Sequence, residues 1–102
     1  MFAILETATG EHTLFAGGEL WGETGQQFGE WMEKLHATGC PAMVVDLSAA
    51  TGMNSSGIGK LLSVLRRAVE EKRTLRIRGC GERLYDLFRI IKLDTILEIS
   101  RE

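Results

Sequence analysis

The chain predicts an α/β domain: a mixed sheet that opens with an N-terminal hairpin and carries its helices mainly on one face. Three observations carry that expectation. Apolar runs of strand length recur between turn residues, segments with apolar residues three and four apart alternate with them, and the first two strand-length runs flank a Gly-containing turn. Alternating strands and helices imply parallel pairing through right-handed crossovers, whereas a hairpin adds one antiparallel pair. One domain over residues 1–102 is expected, since 102 residues with 44% hydrophobic and 25% charged are an ordinary globular balance.

Met1 to Leu5 and Thr13 to Ala16 are the hairpin strands, joined through Ala8, Thr9, Gly10 and Glu11. Gly17 and Gly18 end the second strand, and Gly22 and Gly25 predict a loop-like stretch after it. Phe28, Trp31, Met32 and Leu35 fall at helical spacing, which predicts a first helix from about Thr24 to His36, stopped by Gly39 and barred from resuming by Pro41. Ala42 to Leu47 reads as the central buried strand. In the next helix Ile58, Leu61, Leu62, Leu65, Ala68 and Val69 form the expected core face, with Lys60, Ser63, Arg66, Arg67 and Glu70 opposite. From Leu75 to Gly79, Leu75 and Ile77 alternate with Arg76 and Arg78, the pattern of a strand with one solvated face or at an edge. Leu84, Leu87, Phe88 and Ile91 mark a third helix, and Ile96, Leu97 and Ile99 a last short strand or helix.

Composition excludes several functions. A formal net charge of −2 gives no reason to expect a nucleic-acid partner. Arg66, Arg67, Lys72, Arg73, Arg76 and Arg78 are interrupted by Glu70 and Glu71, so a charge-mixed solvated face is expected rather than a polyanion site. No apolar run reaches the length of a membrane span and no signal pattern opens the chain, so a cytoplasmic protein without membrane insertion is expected. Cys40 and Cys80 are isolated and predict two reduced thiols, neither disulfide nor zinc site. His12 and His36 are separated and unaccompanied, and no metal, cofactor or catalytic role is assigned to them.

The stretch from Ser48 to Gly57 is the functional candidate. It is read as a polar elbow between the central strand and the next helix, on the edge formed by the C-terminal ends of the parallel strands. Gly59-Lys60 invites comparison with a phosphate-binding loop, but Asn54 stands where the first glycine is required and Leu61 where Ser or Thr should follow. A nucleophilic Ser55 or Ser56 would need a general base, and the sequence offers neither an accompanied His nor G-x-S-x-G, so an enzyme is not expected. Plain helix initiation accounts for the same residues: Asn54 is a good N-cap, and Ser55 and Ser56 fill the first turn. A helix N-terminus also suits a negative charge, including one attached covalently to serine.

Over essentially its whole length the chain resembles the STAS domain family, the fold of bacterial anti-sigma-factor antagonists. Gly18-Glu19-Leu20 resembles the family's G-x-L, and Val44 to Ser48 its apolar strand ending in D-L-S. Met53-Asn54-Ser55-Ser56-Gly57-Ile58-Gly59 resembles its apolar-D-S-S-G-L-G signature, and Leu93-Asp94 with Ile96-Leu97 its C-terminal ending. The resemblance implies a phosphoprotein of signalling and transcription regulation. Its phosphorylated residue would be Ser55, with Ser56 second, and its partner an anti-sigma factor that is itself a serine kinase, with a phosphatase to reset it. Trp21, Asn54, Ser55, Ser56 and Gly57 would form the partner-binding surface. The alternative is a non-switching STAS scaffold subunit of a signalling or transporter complex.

Three residues depart from the family's pattern. Asn54 replaces the usual Asp, which leaves the cap intact but removes a charge that a kinase could read. Trp21 stands where Asp is common and reads either as a hydrophobic staple on the first helix or as an exposed partner anchor. Lys92 stands where Gly is usual; either it holds a left-handed conformation at about 1 kcal/mol or the third helix ends differently.

Overall fold

The computed structural model describes residues 1–102. In chain order its elements are β1 (Phe2–Ala8), β2 (Glu11–Ala16), β3 (Gly18–Leu20), α1 (Gly22–Ala37), β4 (Ala42–Asp46), β5 (Ala50–Met53), α2 (Ser55–Glu70), β6 (Thr74–Arg78), α3 (Glu82–Ile90), a 3-10 turn (Leu93–Thr95) and β7 (Glu98–Ile99). The main sheet runs β1-β2-β4-β6-β7, with β1 and β2 antiparallel and every other pair parallel. That is the mixed sheet with an N-terminal hairpin that the alternation predicts.

One hydrophobic cluster sits between this sheet and all three helices. It joins Leu14, Met43, Val45, Leu75 and Ile77 of the strands to Phe28, Met32 and Leu35 of α1, Leu61, Val64 and Ala68 of α2, and Leu84 and Phe88 of α3. The opposite face of the sheet is polar at its margins. Thr13, Val44 and Arg76 lie in one row of the ladder there, and Phe15, Asp46 and Arg78 in the next. Arg76 pairs with Glu11 at 2.9 Å and Arg78 with Asp46 at 3.0 Å, so the basic residues of β6 are spent on local carboxylates. β6 lies between β4 and β7, which settles its alternating pattern as one solvated face rather than an edge.

Two stretches expected as loops are ordered. β3 pairs in parallel with β5 as a separate two-stranded ladder, and α1 begins at Gly22 rather than near Thr24. Glycine-rich segments have low strand propensity, but Leu20 and Met53 are buried and hold the ladder by a pairing that crosses some thirty residues of chain. The central strand ends at Asp46, where Ser48 turns the chain by donating its N–H (2.9 Å) and hydroxyl (2.6 Å) to Asp46 Oδ1. Burial opposes ionisation of Asp46, yet the two Ser48 bonds and the Arg78 guanidinium outweigh it and hold its pKa below the ordinary carboxylate value.

The expected core face of α2 needs correction. Gly57, Leu61, Val64 and Ala68 are its buried line, whereas Leu62 is 39% and Val69 67% exposed. Each residue advances about 100° around a helix, so Leu62 stands about one residue-step away from Leu61 and turns out of the core. The apolar arc of α2 is simply wider than the sheet beneath it. Lys92, φ 62°, occupies the left-handed region, as does Lys72, φ 59°.

Candidate functional site

The N-termini of α1 and α2 converge beside the β3–β5 ladder. Asn54 follows β5 and is bound into this corner by three hydrogen bonds. Its N–H donates to the Leu20 carbonyl at 3.4 Å, its carbonyl accepts from Ile58 at 3.1 Å, and its side-chain Oδ1 accepts from the Gly57 N–H at 3.1 Å. The last is the N-cap bond that a short polar side chain makes to the third residue of a helix. α2 therefore starts at Ser55, as its pattern predicts, with Ser55 and Ser56 both exposed in the first turn. Gly57 is buried: a Cβ there would stand 2.6 Å from Met53 Cγ, so β5 and α2 approach closely.

Trp21 belongs to the same corner. It is the N-cap residue of α1, 45% exposed, and its ring lies over Gly52 of β5. A hydrophobic staple on α1 is not formed, because the fourth helical position is Gly25, which has no side chain to meet the ring. Trp21 instead covers the backbone of the strand that delivers Asn54 and leaves the rest of its ring in solvent. The structure thus gathers Trp21, Asn54, Ser55, Ser56 and Gly57 at one edge, and all of them except Gly57 reach the surface at least in part.

The cleft between α1 and α2 carries charges that sequence spacing does not reveal. Gly25, Gln26, Gly29, Glu30, Glu33, Ser56 and Lys60 line about 350 Å³. Glu33 accepts from Lys60 Nζ at 3.1 Å and from both terminal nitrogens of Arg67, with Nη1 at 3.0 Å. The Arg67 guanidinium, with Lys60 beside it, overcomes partial burial and lowers the Glu33 pKa to about 2. No acidic residue occupies the first turn of α2 itself. Ser55 and Ser56 therefore sit at the positive end of a helix with no competing local carboxylate on it.

The histidine that gains a carboxylate neighbour stands far from Ser55. His36 does have a carboxylate neighbour that the sequence conceals, Glu71, at 2.9 Å, and Arg73 reaches the same oxygen at 2.8 Å. This cluster lies just past the C-terminus of α2, whereas Ser55 opens it; sixteen residues at about 1.5 Å each separate the two. Cys40 and Cys80 are buried and free, and burial pushes the Cys80 thiol up to about 11.

Comparison with known proteins agrees with the fold. A family model described as "Mlab, STAS domain" matches residues 4–98. The anti-sigma-B factor antagonist of Listeria monocytogenes is 27% identical over 97 residues, which cover 95% of this chain and 85% of that protein. A Thermotoga maritima protein, described as a candidate anti-sigma factor antagonist, superposes with a TM-score of 0.86 at 19% identity, covering 98% of this chain and 86% of the other. The phosphorylated form of the Bacillus cell fate determinant SpoIIAA superposes at 0.73 with 16% identity, covering 100% of this chain and 93% of the other. Both superpositions establish likeness of fold.

Proposed function

The chain belongs to the STAS domain family, and from that premise we propose that it is a regulatory binding protein of the anti-sigma-factor-antagonist kind. It docks on an anti-sigma factor that is also a serine kinase, through Trp21, Asn54, Ser55, Ser56 and Gly57, and phosphorylation of Ser55 weakens the complex until a phosphatase reverses it. In this reading the domain binds and is modified, and catalyses nothing. One observation carries it: Ser55 is exposed at the first position of a capped helix that has no carboxylate in its first turn. A phosphate there adds about −1.5 to −2 charges, which the helix N-terminus tolerates and a desolvated interface does not. The domain stays folded while the complex weakens.

Asn54 favours a second reading. Without the family's usual Asp, Ser55 presents a kinase with one charge fewer, and the same surface then serves a non-switching scaffold subunit of a signalling or transporter complex. The test is calorimetric titration of the anti-sigma-type kinase encoded nearest this protein with the wild type, Ser55→Ala and Ser55→Asp. The switch requires tight binding by the wild type and Ser55→Ala, weak binding by Ser55→Asp, and uptake of one phosphate from ATP by the wild type alone. Equal affinities without phosphate uptake favour the scaffold.

A further inference from the structure

β1 is an outer strand of the main sheet, and its pairing with β2 is regular from Phe2 to Glu6, ahead of a bulge between Glu6 and Ala8. Gly17 donates to the Met1 carbonyl at 2.9 Å, and bonded and non-bonded pairs alternate along an antiparallel ladder. Ala3 and Leu5 therefore exchange bonds with Phe15 and Thr13 of β2. The N–H and C=O groups of Phe2, Ile4 and Glu6 point the other way, and none of them bonds elsewhere in the chain. Sheet margins are ordinarily guarded by lysine, proline or shortness. β7, at the far margin, has two residues, whereas β1 has seven with neither lysine nor proline among them. Leu5 is 57% exposed, and neither Glu6 nor Lys34 of α1 enters an ion pair.

We infer that a second copy of this chain pairs its β1 antiparallel with this β1, about a two-fold axis normal to the sheet that passes between the two Ile4 residues. The free backbone groups call for a strand, and the side chains fit this strand to itself. In that register Ile4 faces Ile4, and Phe2 faces Glu6 of the second copy, each pair exchanging both backbone bonds. Ala3 faces Leu5 of the second copy in the closer, non-bonded arrangement, so the exposed large side chain lies beside a small one, twice. The two Glu6 carboxylates are offset by four residues along the ladder, about 13 Å, and do not oppose each other. Each comes instead to Phe2 of the other copy, whose ring stacks on Trp31 at 6.0 Å. Lys34 Nζ lies 4.2 Å from the centre of that Trp31 ring. Glu6 is thus brought towards a cation that has no carboxylate partner, and the axis repeats the pair. The inference stands apart from the Ser55 reading, since it concerns the β1 margin and is read by mass and amide exchange rather than by kinase binding.

Sedimentation equilibrium and amide hydrogen exchange of the full chain test it. Over about 10 µM to 1 mM the mean mass should rise from 11.3 kDa towards twice that value. Across the same range exchange at Phe2, Ile4 and Glu6 should slow about threefold or more, while Ala3 and Leu5, already bonded to β2, should not change. Glu6→Lys and Lys34→Glu should each weaken association about tenfold, by bringing like charges together across the axis. The double variant, which restores opposite signs, should return to within about threefold of wild type. Glu6→Pro removes an outward N–H and no bond within the domain, so it should hold the chain at 11.3 kDa with the amide spectrum of β4 and β6 unchanged. A mass fixed at 11.3 kDa for the wild type overturns the inference. So does self-association that leaves exchange at Phe2, Ile4 and Glu6 unaltered, or that the double charge variant fails to recover.

Discussion

The ring of Trp21 rests against the backbone of Gly52 so closely that a Cβ on Gly52 would stand 2.5 Å from the ring's Cζ3. The contact ties the start of α1 to the strand that ends at Asn54. Gly52→Ala must therefore displace the ring or the strand. Overpacking of this kind destabilises by about 1–3 kcal/mol, and urea denaturation with the Trp21 indole resonance as probe measures both effects. An unshifted indole signal at full stability would contradict the close contact between the ring and the strand.

The cap of α2 rests on one short side chain. Asn54→Ala removes the acceptor of the Gly57 N–H and should lower stability by about 1 kcal/mol. Asn54→Asp should match or slightly exceed the wild type, since it keeps the acceptor and adds a negative charge at the helix N-terminus. Thermal unfolding of the three proteins in one buffer ranks them. A drop for Asn54→Asp as large as for Asn54→Ala would contradict the capping geometry.

Lys92 is left-handed between α3 and the 3-10 turn, a conformation that a Cβ disfavours. Lys92→Gly should stabilise the domain by about 0.5–1 kcal/mol, the relief being partly offset by the freer unfolded chain. Chemical denaturation is again the measurement, with an unchanged slope expected because the buried surface is the same.

The Glu33 ion-pair cluster makes stability depend on acid pH. Its carboxyl titrates near 2 in the folded chain and near 4.5 when free, so between those values the unfolded chain binds more protons. Stability therefore rises with pH through that window, is complete above about pH 5 and falls away as acid protonates the folded form. Glu33 is 42% exposed, so solvent screening limits the effect. Glu33→Gln should cost about 1 kcal/mol at neutral pH and progressively less towards pH 2. A constant difference between the two proteins across the window would assign the loss to packing rather than charge.

The sequence by itself determined the order of the main elements and the position of the elbow. Periodicity and turn chemistry are local properties: the apolar run at Val44 and Val45, the cap at Asn54 and the three- and four-residue spacing after it are legible without any partner. Tertiary structure decided what depends on a distant surface. The β3–β5 ladder exists because Leu20 and Met53 find a common core, which no window of glycine-rich sequence can announce. Trp21 chose between packing and exposure only when β5 brought Gly52 beneath it. The apolar arc of α2 contains two adjacent lines, and the width of the sheet selected Leu61, Val64 and Ala68 for the core while turning Leu62 and Val69 outward. Local pattern fixes which residues can be buried; the area of the opposing surface fixes how many are.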